Sequence, residues 1–378
     1  MTKLIKPKII ISSYDDLKNP FYGGGGAVAI HEVFKRLTNN YQVVVLTGTY
    51  PGSKNIVVDK ILYQRIGSSL LGPRIGQLIF QLLLPYYAVV KEYNLWIESF
   101  TPPFSTACLQ LFTKKPVVGL VHMLCASDMQ RKYKIPFGVL EALENIGLKT
   151  YRHFIVLTES TKLKIVHINR RASFLRVSNG ISLPKNYLIQ NKKIGEYILF
   201  LGRIEVNQKG LDLLLKSYKS FLKEDNMQLI IAGFGVKSEE KKLVNLISDL
   251  GLNKKVKFIG RVTGTTKDRL LKYASFIVIS SRFETFSLVA LEALSFSLPL
   301  ITFDIDGLKW IPKNSVIKVK PFDVNLLTKE MLRLATDNHL RTSLGSCGQL
   351  YVKNLSWDNL AKQYDQYITK VSIGSNYE

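Results

Sequence analysis

The pattern that most limits what this chain can fold into is an alternation of short apolar runs with amphipathic stretches, sustained through most of its length. "KPKIIISSY" reads as a buried strand, followed by a long loop through "NPFYGGGGA" and a helix "AIHEVFKRLTNN". "YQVVVLTG", "YNLWIESF", "KPVVGLVHM" and "RHFIVLTES" are further strands, with helical segments between them. From about residue 196 the pattern restarts with more regular spacing. "EYILFLGRI", "MQLIIAGFG", "KVKFIGRV", "SFIVISS" and "LPLITFD" alternate with helices "GLDLLLKSYKSFLK", "EEKKLVNLISDLG", "TKDRLLKYA" and "SLVALEALSF". Strands this short and rich in β-branched residues are covered on both faces, which implies mainly parallel sheets with helices on each side. The fold class is α/β, with two doubly wound Rossmann-like domains. The polar stretch "PKNYLIQNKKIGE" (184–196) links a domain over 1–185 to one over 186–355. The remainder, 356–378, holds a final helix with Ser356 as its N-cap, expected to pack back toward the first domain. Two such domains imply a cleft between their carboxyl edges.

Composition narrows the function classes. An apolar fraction of 46% and a charged fraction of 21% are those of an ordinary folded protein. Cys108, Cys125 and Cys347 are too scattered for a disulfide framework or a thiolate metal site, and no other residues have metal-ligand spacing. The opening "MTKLIKPKIIISSYDD" has too short an apolar run for a signal peptide, so a cytoplasmic location is expected. "IGQLIFQLLLPYYAVV" (75–90) contains Gln77, Gln81 and Pro85 and falls short of the roughly 20 apolar residues that cross a bilayer; it reads as a buried helix. The aromatics Tyr86, Tyr87, Trp96 and Phe100 read as core.

The net charge of +23 is unevenly spread. The first 185 residues carry 24 Lys+Arg against 10 Asp+Glu, and the rest 28 against 19. Much of the excess lies in "QRKYK" (130–134) and between Lys149 and Arg176. Such a field favours polyanions: anionic lipid, nucleic acid or a pyrophosphate substrate.

In open α/β sheets ligands gather at the carboxyl ends of strands. After "ILFLGRI" come Arg203 and Lys209, two cations beside a helix N-terminus that suit a diphosphate. Gly202 lies in the same turn. After "LIIAGFG" come Gly233 and Gly235, which permit a tight turn and close approach of a ligand. After "FIVISS" comes Glu284, and about two turns into the next helix Glu292. The backbone N–H groups of Thr285, Phe286, Ser287 and Leu288 would be helix-start donors for a phosphate or sugar oxygen. Paired carboxylates there suit acceptance from vicinal hydroxyls.

These motifs carry a resemblance. "FLGRIEVNQKGLDLLLKSY", "LIIAGFG", "VKFIGRV", the seven-residue interval in "E-TFSLVAL-E" and the closing "LSWDNLAKQY" are similar to those of the retaining GT-B glycosyltransferases, specifically the family four group. "YGGGGAVAIHE", "PVVGLVHM", "VLTEST" and "VSNGI" extend the resemblance through the first half. It implies that Arg203 and Lys209 bind the diphosphate of a nucleotide-sugar donor (UDP-, GDP- or ADP-hexose) and assist its departure. It gives Glu284 to the transferred sugar and Glu292 to the ribose hydroxyls. The loop of Gly23, Gly24, Gly25 and Gly26 would close over the phosphates or present the acceptor, and His122 would lie near the sugar. The resemblance implies no metal and no cofactor, and a glycan or lipid-linked acceptor. Many similar enzymes work on lipid-linked sugars from the cytosolic face, so the basic first domain is expected to meet an anionic membrane surface peripherally. This chain departs from the family at Ser287 and Ser297, where glycines are usual, and in "DIDGLKWIP" with Trp310.

Other classes fit less well. A dinucleotide-dependent oxidoreductase would have its glycines directly after the first strand and an acid ending the second; here about ten residues intervene and "VVVLTG" has no acid. No basic–aromatic alternation or motif marks nucleic-acid binding. A phosphorylase or sugar-phosphate synthase on the same fold stays open. His31, on the helix after the glycines, would face either the cleft or solvent.

Overall fold

A computed structural model of the protein describes residues 6–19, 25–102, 104–126, 137–183 and 195–374. The chain divides into two compact units, Met1–Gly180 with Trp357–Glu378, and Ile181–Ser356. The linker expected over 184–196 lies almost wholly outside the described residues.

Among the described residues the first unit has strands β1 (Lys8–Ser12), β2 (Gln42–Gly48), β3 (Ile56–Val58), β4 (Ile61–Ile66), β5 (Leu95–Ser99), β6 (Val117–Val121), β7 (His153–Val156) and β8 (Ser173–Arg176). They form one sheet in the order β3-β4-β2-β1-β5-β6-β7-β8. β3 pairs antiparallel with β4 across Asp59 and Lys60, both with positive φ, the backbone of a tight hairpin; the other pairings are parallel. Alternate side chains go to opposite faces, as the two-residue period of a strand requires. Ile9, Ile11, Val43, Val45, Leu95 and Ile97 join a core beneath helix α1 (Gly25–Leu37) and the terminal helix Trp357–Gly374. Ile10, Val44, Leu46 and Trp96 join the other core, beneath α2 (Pro73–Val90), α3 (Phe137–Thr150) and α4 (Glu159–Ile168). The terminal helix is tied in by Trp357, whose ring fills the space that a Cβ on Gly180 would need, at 2.5 Å.

The second unit is an all-parallel sheet, β11-β10-β9-β12-β13-β14. Its strands are β9 (Tyr197–Leu201), β10 (Gln228–Ala232), β11 (Val256–Phe258), β12 (Ala274–Ile279), β13 (Leu300–Phe303) and β14 (Ile317–Val319). Its helices are α5 (Leu211–Phe221), α6 (Lys237–Asp249), α7 (Gly264–Tyr273), α8 (Leu288–Ser295), α9 (Val324–Thr336) and α10 (Asn338–Val352). All six residues of β12 are buried, the mark of a central strand covered twice.

Several expectations need correction. The run 75–90 is helical, but only one face of α2 is buried, through Phe80, Gln81, Leu84 and Ala88; Leu82, Tyr86, Val89 and Val90 are exposed. Trp96 and Phe100 are core and Tyr86 is not. Gly25 opens α1 instead of lying in a loop, so the helix starts four residues earlier than "AIHEVFKRLTNN", which begins at Ala29. β3, β4, β8, β14, α9 and α10 escaped the sequence reading because their apolar runs are short or their burial is one-sided.

Candidate active site

β9 runs out through Gly202 and Arg203 into the loop that carries Lys209, and β12 runs out through Ser280 and Ser281 toward Glu284. Parallel pairing of β9 with β12 makes these two exits neighbours. Gly210 (φ +61°) seals the junction: a Cβ there would lie 1.9 Å from the Ser280 carbonyl oxygen, so no other residue fits. Ser280 Oγ then donates to the Lys209 carbonyl at 3.0 Å. The result is a direct pair, with Lys209 Nζ 2.8 Å from Glu284 Oε1, and Ser281 Oγ donating to the same oxygen at 2.7 Å. The two side chains are only 17% and 9% exposed.

Arg282 braces the two loops. Its guanidinium donates to both carboxylate oxygens of Asp212 and to the Asn207 carbonyl, each at 2.7 Å, while its backbone N–H donates to the Gln208 carbonyl. Burial pushes the Asp212 pKa upward, but the hydrogen bonds and charge of Arg282 outweigh it and hold the carboxyl below its ordinary range. A third segment supports Glu284. A Cβ on Gly307 would lie 2.0 Å from the Glu284 carbonyl oxygen, and Trp310 stacks on Phe286 with ring centroids 4.5 Å apart and planes at 12°. The departure from the family in "DIDGLKWIP" is thus packed against Glu284 and Phe286.

The helix after Glu284 begins at Leu288. Ser287 is its N-cap, and its hydroxyl accepts from the Ala290 N–H at 3.2 Å. One helix-start donor is thereby consumed by the serine that stands where the family has glycine. Glu292 is one turn into α8, not two, and is held by Lys267 of α7 at 2.6 Å. The two carboxylates are therefore anchored by different cations. Arg203 is brought to the same strand end but not to the pair; its side chain is 56% exposed and holds Glu205 at 3.1 Å.

Gly233 and Gly235 are required for a different reason from the one expected. A Cβ on Gly233 would fall 1.7 Å from the Gly202 carbonyl oxygen, and one on Gly235 would fall 2.2 Å from that of Ile204. Neighbouring backbone occupies that space. Gly202, with φ +153°, completes this crossing of two chains.

In the first unit His122 directly follows β6. It is partly buried, its Nε2 is buried with no hydrogen-bond partner among the described residues, and burial lowers its pKa to about 4, so the ring is neutral at pH 7. Its ring lies 3.4 Å from where a Cβ on Gly26 would be, so the start of α1 and His122 are together. Gly23 and Gly24 lie outside the described residues. His31 faces neither cleft nor solvent: it is buried, with Nδ1 2.8 Å from the Tyr63 hydroxyl and Nε2 3.0 Å from Asp59, tying α1 to the β3–β4 hairpin. Glu144 accepts from Ser105 Oγ and from the Ala126 N–H, which fixes the segment leaving His122.

Lys267, Arg282, Asp212 and Glu144 were missed in the sequence. Each acts across elements distant in the chain, and no local motif announces it. Among the described residues no three His, Cys, Asp or Glu side chains gather as metal ligands.

A family model described as glycosyl transferases group 1 matches residues 186–351. An uncharacterized glycosyltransferase of Methanocaldococcus jannaschii is 35% identical over 279 residues, covering 69% of this chain and 70% of that protein. A GDP-mannose:cellobiosyl-diphosphopolyprenol alpha-mannosyltransferase of Xanthomonas oryzae pv. oryzae is 27% identical over 271 residues, 68% of this chain and 69% of its own. Among solved structures, a sucrose-phosphate synthase from Thermosynechococcus elongatus superposes with a TM-score of 0.83 at 18% identity, over 98% of this chain and 100% of the other, a likeness of fold. With its paired parallel sheets and a relative so similar over such a span, this chain belongs to the glycosyl transferases group 1 family and is a glycosyltransferase of the GT-B fold.

Proposed function

We propose that the protein moves a hexose from a nucleotide-sugar donor to an acceptor hydroxyl, with retention at the anomeric carbon. The observation that carries this reading is the Lys209–Glu284 pair at adjacent strand ends, beside the start of α8. A departing nucleoside diphosphate needs positive charge where its own charge develops, and preorganised donors supply that without reorganisation. Lys209 has three donors and spends one on Glu284. With Arg203 at the same strand end, it neutralises the leaving diphosphate without a bound cation. Glu284, with one oxygen shared by Lys209 and Ser281, suits acceptance from sugar hydroxyls better than covalent attack. Front-face attack by the acceptor follows, with a donor phosphate oxygen taking the acceptor proton. His122 is neutral, and we assign its ring to a sugar hydroxyl. Glu292 holds the ribose with Lys267 beside it.

For the acceptor we take a lipid-linked glycan met at the inner face of the membrane. Support comes from the basic first half and from a relative whose name pairs GDP-mannose with a diphosphopolyprenol. No helix among the described residues is long and apolar enough to cross a membrane, so attachment would be peripheral.

A thermal-shift series with UDP, GDP, ADP and their hexoses tests the donor reading. The matching nucleotide at 100 times its Kd should stabilise the protein by about 2.7 kcal/mol. Absence of any shift across the whole series rejects the transferase site as drawn.

A further inference from the structure

The two faces of the first unit's sheet differ in what their helices present to solvent. Over one face lie α1 and the terminal helix, where Val28 and Ile373 are the exposed large apolar side chains among the described residues. Over the other lie α2, the short turn Leu109–Leu111, α3 and α4, all joined to one core. That layer is apolar on its outside as well. On α2, Ile75, Leu82, Tyr86 and Val89 repeat at helical spacing, with Leu82 66% and Val89 65% exposed. On α3, Val139, Leu143 and Ile146 do the same, with Ile146 60% exposed. Leu111 and Phe112 lie exposed after the turn, and Leu163 on α4. Scattered surface leucines need no explanation, but stripes on successive helices of one layer do.

We infer that this outer layer of α2, α3 and α4 is the surface on which the protein lies against an anionic lipid bilayer. Charge decides the occupant. From Ile75 to Val90 the chain has no charged residue, while Arg74 and Lys91 stand at the two ends of α2. That is the composition of a helix lying in the interface, with its apolar face among acyl chains and its end cations at the headgroups. Tyr86 and Tyr87 add the aromatic character of that zone. Lys149 near the end of α3 and Arg170 and Arg171 just after α4 are exposed. The acids of the layer are fewer than its cations: Glu144 is buried, Glu159 is paired with Lys162 and Arg176, and Glu141 on α3 and Glu92 after α2 are the others. Cations at the ends of apolar-faced helices match headgroups that are negative above a hydrocarbon interior. The basic segment 130–134 lies outside the described residues and is not needed for this surface. The inference deepens the membrane reading above and is independent of the Lys209–Glu284 site.

The test is co-sedimentation of the full chain with vesicles of phosphatidylcholine, alone or mixed with phosphatidylglycerol. Wild type should pellet with the mixed vesicles, stay in solution with the neutral ones, and be released by salt. The triple variant Leu82→Asn, Tyr86→Ser, Val89→Asn should bind the mixed vesicles about tenfold more weakly or worse. Arg170→Gln with Arg171→Gln should weaken binding about fivefold per cation, the factor that corresponds to about 1 kcal/mol each. Ile373→Asn, on the opposite face, should bind as wild type does. All these side chains are exposed, so melting temperatures should stay together, and the nucleotide shift of the triple variant should match wild type. Failure here would thus be distinguishable from failure of the donor site. Equal recovery of wild type in the supernatant with both vesicle types overturns the inference, as does wild-type binding by the triple variant. If light scattering instead shows a dimer that the triple variant loses, the layer belongs to a second copy of the chain.

Discussion

Lys209 and Glu284 are 75 residues apart in sequence and 2.8 Å apart in space. Their side chains are poorly exposed, so removing one leaves a charge with neither partner nor full solvation. Glu284→Ala would mix that penalty with lost chemistry. Glu284→Gln keeps an oxygen for Ser281, and the lysine gains a neutral neighbour. We expect Glu284→Gln to lower kcat about 100-fold, the scale of a single electrostatic contact at a reacting centre. Arg203→Ala should do the same while leaving the melting temperature unchanged, because its side chain is already more than half in solvent. Steady-state kinetics beside a melting curve checks both; near-wild-type turnover in either variant removes that residue from the site. At this scale the sequence was informative about identity and poor about partnership. The strand-exit positions of Arg203, Lys209 and Glu284, and the place of Glu292 on the helix that follows, were legible because strand ends are where such sheets bind. That Glu292 would face Lys267, and Glu284 Lys209, was not, since neither cation lies near its acid in the chain.

Helix ends show the next scale. α8 stops at Ser295, and Ser297, two residues on, adopts φ +53°, the left-handed conformation that ends many helices and favours glycine. The family's usual glycine at this position is explained by that backbone, and the serine is strained in its place. Ser297→Gly should therefore raise stability by about 0.5–1 kcal/mol: a left-handed serine costs about 1–2 kcal/mol, and glycine returns part of that in unfolded-chain entropy. Urea unfolding measures it, and a loss of stability would show that the serine side chain contributes more than its backbone costs. The serine at the other end, Ser287, is a cap and not a strain, so the two departures from the family have opposite physical signs. Helices such as α5, amphipathic and flanked by Gly210, were legible from periodicity. α2 was misjudged because an apolar segment of sixteen residues without charge gives no signal of which face meets the core.

At the scale of the whole molecule, the chain leaves the first unit at Gly180 and returns to it at Trp357. Trp357, Leu360, Tyr364, Ile368 and Val371 complete the core on the α1 face of the eight-stranded sheet. A chain ended at residue 356 should expose that core. We expect hydrogen exchange to show lost protection at Ile9–Ile11 and Val43–Val45, with protection retained at Ile198–Phe200 in the other sheet. Uniform protection in the shortened chain would mean that the terminal helix is not part of the first unit's stability.

What the sequence by itself determined was whatever depends on local period and on which residue types stand at strand ends. β-branched runs separated by amphipathic segments dictate two parallel sheets, because a strand buried on both faces must be apolar throughout and a helix buried on one must not. The cations and acids at those strand ends follow from the same register. What tertiary structure alone decided was which charge meets which, and which glycines are crossed closely by neighbouring backbone. Gly233 and Gly235, expected as turns near a ligand, lie where two chain segments cross, with the carbonyls of Gly202 and Ile204 in the space a side chain would need. His31 looked undecided between cleft and solvent and is buried against Tyr63 and Asp59. The physical reason is common to all of these. Electrostatic pairing and steric exclusion act over a few ångströms in space, and residues 28 to 75 positions apart in the chain become neighbours only once the strands between them have been ordered in a sheet.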